Sequence, residues 1–252
     1  MKDSRAHFSL HRVLFACLLC AWIVAGCDLP RDPDGTLARV QGGTLRVGII
    51  EHRPWASIAE DAPPRGVEVE LIKDFAAELN ARTEWVSGGE QVHIEALKAG
   101  ELDLVIGGLT AESPWSAEVG VTNPYFENRI VVGIRAGVTP PARLARAPVL
   151  VRRGTPTAAH VEEAGGTPVR VDRLFQLRDA QIETLPVAAE EWELEARGYT
   201  SSEIELHTTE HVIAVAPGEN GFLVRLERFL AARRSGVRDM LKREGVLAET
   251  LP

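Results

Sequence analysis

Apolar residues recur along the first half of the chain in short blocks that alternate between two spacings. Residues 44–50, 83–86 and 102–106 are compact apolar runs bounded by turn residues, which is typical of buried β-strands. Residues 72–79 and 92–99 instead place apolar side chains three or four positions apart, as on one face of a helix. Strands that alternate with helices predict a parallel α/β sheet, and such sheets bind ligands at the carboxyl ends of their strands.

The second half repeats the alternation after a proline-rich break at residues 139–141. The pattern predicts strands at 130–134, 149–151 and 211–215 and a turn at 154–156. It also predicts a helix at 186–197 and an amphipathic closing helix at 222–241, and residues 179–182 belong to the same set of strands and helices.

The N-terminus carries the features of an export signal. A basic leader precedes the apolar run VLFACLLCAWIVA, residues 13–25, which is too short to span a bilayer comfortably. The run ends in Val24-Ala25-Gly26-Cys27, which resembles the lipobox of bacterial lipoproteins. That resemblance implies cleavage before Cys27, lipidation of its sulfur and acylation (palmitate) of the new N-terminus. An ordinary signal peptide or a short anchor is the alternative.

The composition limits the cellular compartment and the kinds of binding partner that are expected for this protein. All three cysteines lie at or before Cys27, so the exported part has no thiol for a disulfide or a cysteine-ligated metal. Asp28 after the lipidated cysteine implies retention at the periplasmic side of the inner membrane. The full chain has a formal charge of −8, and loss of residues 1–26 lowers it to about −10. An acidic chain with scattered arginines argues against nucleic-acid binding.

Seven sequence blocks resemble the bacterial extracellular solute-binding proteins of family 3, the polar-amino-acid receptors of ABC transporters. In order, they are LRVGIIEHRPWAS, RGVEVELIKDFAAEL, ALKAGELDLVIGGLT, NPYFENRIVVGIR, VRRGTPTAA, RDAQIETLPVAA and HVIAVAPGENGFLVRLERFLAARRSGV. The resemblance implies a two-lobed α/β periplasmic-binding-protein fold of type II. Each lobe would be a mostly parallel sheet flanked by helices, with two hinge crossings between the lobes.

The same resemblance divides the chain. Residues 1–26 would be the lipoprotein signal and 27–41 a tether, followed by a discontinuous lobe 1 (42–132 plus 213–252) and lobe 2 (134–212). The crossings would lie near Gly133 and Ala214. A small-molecule solute would bind between the lobes and close them, and an ABC-transporter permease would receive it. A monomer with no cofactor is expected.

Four residues match the part of the ligand pocket that lobe 1 supplies in this family. Trp55 stands where an aromatic residue after the first strand stacks on the ligand, and a packed core tryptophan is the alternative. Gly107, Gly108 and Thr110 match a segment whose backbone and hydroxyl groups face the ligand. Glycine lets backbone amides approach a bound group closely, and a simple strand-to-helix turn that also uses glycine is the alternative.

Both contacts to an amino-acid zwitterion are replaced in this chain. The family's carboxylate-binding Arg falls at Trp115, and an indole offers one donor and no charge. The acid expected for the ammonium group falls, in an ungapped alignment, at Thr184. With Trp55, Trp115 suits a flat, aromatic or cationic ligand, or else it is buried and reshapes the pocket. The predicted solute is therefore small and polar or aromatic, but not a standard α-amino acid.

Charge near the predicted cleft offers substitutes for these contacts. Arg152 or Arg153, just before Thr155, could supply a cation at a helix N-terminus. Exposed surface charge is the alternative for both, and likewise for the other charged residues near the mouth, which are Glu51, His52, Arg53 and Glu183.

Three functions fit this pattern. The first is a non-catalytic solute receptor. The second is an enzyme on the same fold, similar to cyclohexadienyl dehydratases, although no nucleophile–base pair or metal-ligand set is visible in the sequence. The third is an accessory or sensor lipoprotein that binds a membrane protein.

Overall fold

The computed structural model describes residues 31–59, 61–135, 138, 142–175 and 184–250, with side chains up to Gly245. From Asp32 onward these residues belong to one compact unit. The predicted signal segment, Cys27, residues 179–182 and Glu183 lie outside the described residues. In the described part, no helix is long and apolar enough to cross a membrane.

The described elements alternate between strands and helices. In chain order the strands are β1 (Thr44–Ile49), β2 (Ser57–Ala59), β3 (Ala62–Arg65), β4 (Arg82–Ser87), β5 (Leu104–Ile106), β6 (Gly120–Val121), β7 (Phe126–Ile134), β8 (Pro148–Arg152), β9 (Thr167–Val171), β10 (Val187–Glu190), β11 (Thr200–His211) and β12 (Ala214–Val215). The helices are α1 (Thr36–Val40), α2 (Val67–Glu78), α3 (Glu90–Lys98), α4 (Thr157–Glu163), α5 (Glu191–Ala196), α6 (Asn220–Arg233) and α7 (Val237–Thr250).

The first sheet has the strand order β4-β1-β5-β12-β6. Strands β4, β1 and β5 run parallel, and β12 pairs antiparallel with β5 and β6. Its apolar side chains pack against α2 and α6 in one core, in which Phe75 of α2 meets Phe222 and Phe229 of α6. The 3.6-residue spacing of α2 produces this packing because it places Leu71, Phe75 and their neighbours on a single buried face.

The second sheet has the order β11-β7-β10-β8-β9. Strands β10, β8 and β9 run parallel, whereas β7 pairs antiparallel with both β10 and β11. Two five-stranded mixed sheets flanked by helices confirm the predicted fold class, the two-lobed type II periplasmic-binding-protein fold. In each sheet four strands run in one direction, and one strand, β12 in the first sheet and β7 in the second, runs in the opposite direction.

The chain passes between the two sheets twice. It leaves the first sheet after β6 and enters the second at Phe126, because β7 pairs in the second sheet from its first residue. It returns between His211 and Ala214. The first change of sheet therefore precedes the expected crossing near Gly133, and residues 126–132 lie in the second sheet rather than in the first.

Several observed elements differ from the prediction; the predicted strand at 211–215, for example, is divided between the end of β11 and β12. Residues 186–197 were expected to form one helix, but 187–190 form the buried central strand β10 and only 191–196 are helical. The closing helix is split by a 3₁₀ turn at Arg234–Gly236. Strand β11 was missed because its residues are mostly polar, and its conformation is set by pairing with β7.

Candidate functional site

A cleft of about 330 Å³ lies between the two sheets, at the carboxyl ends of their parallel strands. The lobe-1 side supplies His52, Trp55, Gly108 and Thr110. The lobe-2 side supplies Ile130, Arg152, Thr155, Pro156, Thr157, Leu174, Ala188, Ala189, Glu190 and Glu193. The paired strands β7 and β11 add Asn128, Thr209 and His211. Such a volume suits a small solute.

Trp55 lines the cleft but is almost covered by its neighbours. Its side chain is 2% exposed, and its ring lies 3.9 Å from the His211 ring, centroid to centroid, at 30°. Phe126 and Tyr125 contact it from other directions. His52, beside it, places Nδ1 3.0 Å from the carbonyl oxygen of Gly107. The aromatic wall is therefore a packed group of rings in which His211 occupies one face of the indole.

The backbone amides of Gly107 and Gly108 are bound within the protein. Both donate to Oε2 of Glu68, at 2.6 and 2.9 Å, and the Tyr125 hydroxyl donates to the other oxygen of that carboxylate. Burial raises the pKa of Glu68, and these three hydrogen bonds partly oppose the increase. This corrects the expectation that both amides face the ligand: they hold the buried carboxylate of α2 instead.

Gly108 has a second role, which depends on its missing side chain. Its φ of +70° favours glycine, and a Cβ atom there would lie 2.5 Å from Nδ1 of His52 and 2.6 Å from Cδ1 of Trp55. The glycine therefore lets the loop after β5 pack directly against the aromatic wall.

Trp115 does not line the cleft. It is 5% exposed in a 3₁₀ turn and packs in an apolar cluster with Ile94, Leu97 and Leu109, while its Nε1 donates to the Glu90 carboxylate. This corrects its placement as a ligand contact. The burial alternative fits this placement, because the indole packs against α3 and anchors the loop to that helix.

Glu190 ends β10 inside the cleft and was missed when residues 186–197 were interpreted as a helix. Desolvation and the nearby Glu193 carboxylate raise its pKa to about 7, against smaller opposing effects of Asn128 and Arg152. Asn128 Nδ2 donates to its Oε1 at 3.2 Å. Thr184, by contrast, is exposed and is not part of the cleft lining. The cleft therefore contains a half-buried acid at Glu190, whereas the position that ungapped alignment indicated, Thr184, lies outside its lining.

Arg152 lines the cleft, and its side chain is paired with an acid. Its Nη2 lies 2.7 Å from Oε1 of Glu193. The Thr155 hydroxyl donates to the Arg152 carbonyl at 2.9 Å and stabilises the turn after β8. Arg153 pairs with Asp172 on the exposed surface, which is the alternative considered for it.

His211 and Asn128 bring unsatisfied polar atoms to the cleft. Among the described residues, both ring nitrogens of His211 and Oδ1 of Asn128 are buried without a hydrogen-bond partner. Burial, with a smaller repulsion from His52, lowers the pKa of His211 to about 3. Backbone groups of Gly108 and Leu109 approach the ring and partly oppose that decrease, but neither meets the geometry of a hydrogen bond. His211 is therefore neutral at physiological pH. The sequence placed His211 at the start of a predicted strand, residues 211–215, but gave no sign that its ring faces the cleft.

No group of three or more His, Cys, Asp or Glu side chains that could hold a metal ion occurs among the described residues.

Two lobes joined by two crossings, with a cleft at their strand ends, define a periplasmic-type solute-binding protein. The chain belongs to the bacterial extracellular solute-binding proteins, family 3, whose family model matches residues 45–242.

The curated relatives that the chain matches are longer proteins. It is 32% identical over 143 residues to a membrane-bound lytic murein transglycosylase F from Maricaulis maris, covering 54% of this chain and 31% of that protein. It is 31% identical over 94 residues to the protein of the same name from Vibrio cholerae serotype O1, covering 36% of this chain and 18% of that protein. The chain thus spans less than a third of the length of either relative.

Solved structures share the fold at low sequence identity. A polar amino acid ABC uptake transporter substrate-binding protein from Streptococcus thermophilus has a TM-score of 0.68 at 13% identity, covering 82% of this chain and 86% of that one. The L-cystine solute receptor of Neisseria gonorrhoeae, in its unliganded open conformation, has a TM-score of 0.65 at 18% identity, covering 83% of this chain and 94% of that one. An ancestral cyclohexadienyl dehydratase has a TM-score of 0.60 at 14% identity, covering 86% of this chain and 97% of that one.

Proposed function

We propose that this protein is an extracytoplasmic solute receptor, anchored in the inner membrane through lipidated Cys27, which delivers a small polar solute to an ABC importer. The observation that carries the proposal is the interlobe cleft, which contains the half-buried acid Glu190 at a strand end. Family membership and the export features of the N-terminus support the same function.

The charges of the cleft indicate which end of a solute it binds. Glu190 sits beside a second acid, Glu193, and the arginine that lines the cleft is already paired with Glu193. A protonated amine placed beside Glu190 would offset this negative charge and would favour its ionised form. Trp115 leaves the usual carboxylate-binding position without a cation. The solute is therefore an amine that does not depend on an arginine–carboxylate contact.

Native mass spectrometry after gentle purification tests the receptor function directly. A retained small molecule, or binding of amines by calorimetry, is the expected result. The tryptophans add a site-specific readout. Ligand should change the fluorescence of the wild type and of Trp115→Phe, because Trp115 lies outside the cleft lining, but the change should be lost in Trp55→Phe. Equal loss in both variants would contradict the assignment of the cleft.

An enzyme is the second candidate, and one observation favours it. A cleft carboxyl group with a pKa of about 7 is suited to general acid–base catalysis. Turnover of prephenate-like acids, lost in Glu190→Gln, would support this function; binding without turnover would support the receptor.

A further inference from the structure

The strands that connect the lobes form a third wall of the cleft. In the antiparallel register Asn128 lies opposite Thr209, and Phe126 lies opposite His211. Residues two apart on a strand share a face, so Asn128, Thr209 and His211 project from one face, and all three line the cleft. Diagonal neighbours of this kind are about 7–8 Å apart.

This wall contains polar atoms that require partners. His211 is 3% exposed, and both of its ring nitrogens lack a hydrogen-bond partner. Asn128 is 6% exposed, and its Oδ1 lacks a partner. Buried polar groups without partners are costly, so a ligand or water is expected to supply the missing hydrogen bonds.

The two side chains differ in what they offer. The amide nitrogen of Asn128 already donates to Glu190, which leaves Oδ1 as an oriented acceptor for an N–H group. A neutral imidazole has one N–H donor, which can serve a carbonyl oxygen. An amide group has an N–H that can donate to Oδ1 of Asn128 and a carbonyl oxygen that can accept from the imidazole of His211. Two such hydrogen bonds of about 3 Å each can bridge residues that are diagonal neighbours on the paired strands.

A carboxylate fits the same wall poorly. It has no N–H for Oδ1 of Asn128, His211 is uncharged, and Glu190 and Glu193 would repel it. The side chain of Arg152 is engaged by Glu193 at 2.7 Å.

We infer that the cleft selects an α-amino amide, either a free amino amide or the N-terminal end of a short peptide, with His211 and Asn128 binding the amide. This rests on the proposed function, in which Glu190 binds the ammonium group. His211 and Asn128 are then the residues that determine specificity for an amide over a carboxylate.

The test compares matched pairs on the full exported chain. Calorimetry with L-alaninamide against L-alanine, and with L-leucinamide against L-leucine, should show binding tighter by about tenfold or more for each amide. L-Alanyl-L-alanine distinguishes a peptide end from a free amide.

Variants of His211 connect the preference to this wall. His211→Phe keeps an aromatic ring beside Trp55, removes both nitrogens and should bring the amide-to-acid affinity ratio close to one. His211→Gln retains a donor and an acceptor and should keep part of the preference. His207→Phe is the matched control, since His207 lies on the same strand but stacks on His160 outside the cleft lining. Thermal unfolding of each variant checks folding.

Each outcome decides one of the two proposals. Amino acids that bind as tightly as their amides, or an unchanged ratio in folded His211→Phe, overturn the amide inference. If both members of each pair fail to bind while native mass spectrometry finds another retained solute, the inference falls and the receptor function stands. If nothing binds and nothing is retained, both fall.

Discussion

Two glycines with nearly the same backbone conformation show how much local space matters at the residue scale. Gly108 and Gly100 have φ values of +70° and +71°. A Cβ atom at Gly108 would meet His52 and Trp55, whereas one at Gly100 would meet nothing within 4 Å. The φ cost is common to both positions, so the difference between substitutions isolates the packing of the aromatic wall.

We expect Gly100→Ala to lower the free energy of unfolding by about 1–2 kcal/mol, the usual cost of a left-handed alanine. Gly108→Ala should cost more and should also weaken ligand binding, because His52 and Trp55 must move. Urea unfolding and calorimetry measure both effects. Equal stability losses in the two variants, with binding intact, would show that the wall adapts without cost.

Glu190 gives stability a pH dependence whose sign is set by burial. Its folded pKa of about 7 lies above the ordinary value of 4.5, so the folded state keeps a proton that the unfolded state releases. Its contribution is full below pH 4.5 and is lost as the pH rises to about 7. His211 acts in the opposite direction because its pKa is lowered by folding. Between about pH 3 and 6.5 the unfolded state binds the extra proton, so the contribution of His211 to the free energy of unfolding rises with pH.

Glu190→Gln removes the pH dependence of stability that comes from Glu190 and leaves the one that comes from His211. From pH 5 to pH 8 the variant should gain stability relative to the wild type by about 3 kcal/mol or less. Urea denaturation of both proteins at the two pH values measures this difference. A difference that is independent of pH would mean that Glu190 is solvated in the folded protein.

At the scale of elements, α5 connects the cleft with the C-terminal helix. It follows Glu190 directly and contributes Glu193 to the cleft. Its other acids, Glu191 and Glu195, pair with Arg238 of α7 at 2.8 Å each. Trp192 of α5 packs in the core of the first lobe, and a Cβ atom at Gly245 of α7 would lie 2.3 Å from its ring. One short helix of the second lobe is thus held by an element that also contacts α2 of the first lobe.

At the scale of the whole molecule, α7 is expected to restrain the relative movement of the lobes. Arg238→Met removes two ion pairs that join them. The stability loss should be small, up to about 1 kcal/mol, because the pairs are partly solvated. The radius of gyration of the ligand-free protein, measured by small-angle X-ray scattering, should increase.

Arg233→Met is the control for this experiment. Arg233 also makes two ion pairs, but with Asp74 and Glu78 of α2, inside the first lobe. It should lower stability by a similar amount without changing the radius of gyration. If Arg238→Met leaves the radius unchanged as well, α7 does not restrain the lobes.

The sequence by itself determined the alternating architecture and part of the cleft. Apolar spacing identified β1, α2, β4 and α3, because each buries a face that is encoded by residues close together in the chain. The resemblance to family 3 indicated Trp55, Gly108 and Thr110 as pocket residues, and a predicted helix start indicated Arg152 and Thr155. All five line the cleft, where the strand ends meet at one edge of each sheet.

Only the tertiary structure decided the remaining features. Pairing with β7 and β8 made a strand of residues 187–190 and brought Glu190 into the cleft, and pairing with β7 gave the polar β11 its conformation. Packing against α3 turned Trp115 away from the cleft, and the Glu68 carboxylate took up the amides of Gly107 and Gly108. The physical reason is common to these cases: burial and strand pairing depend on partners that are distant in the chain, and local periodicity carries no information about them.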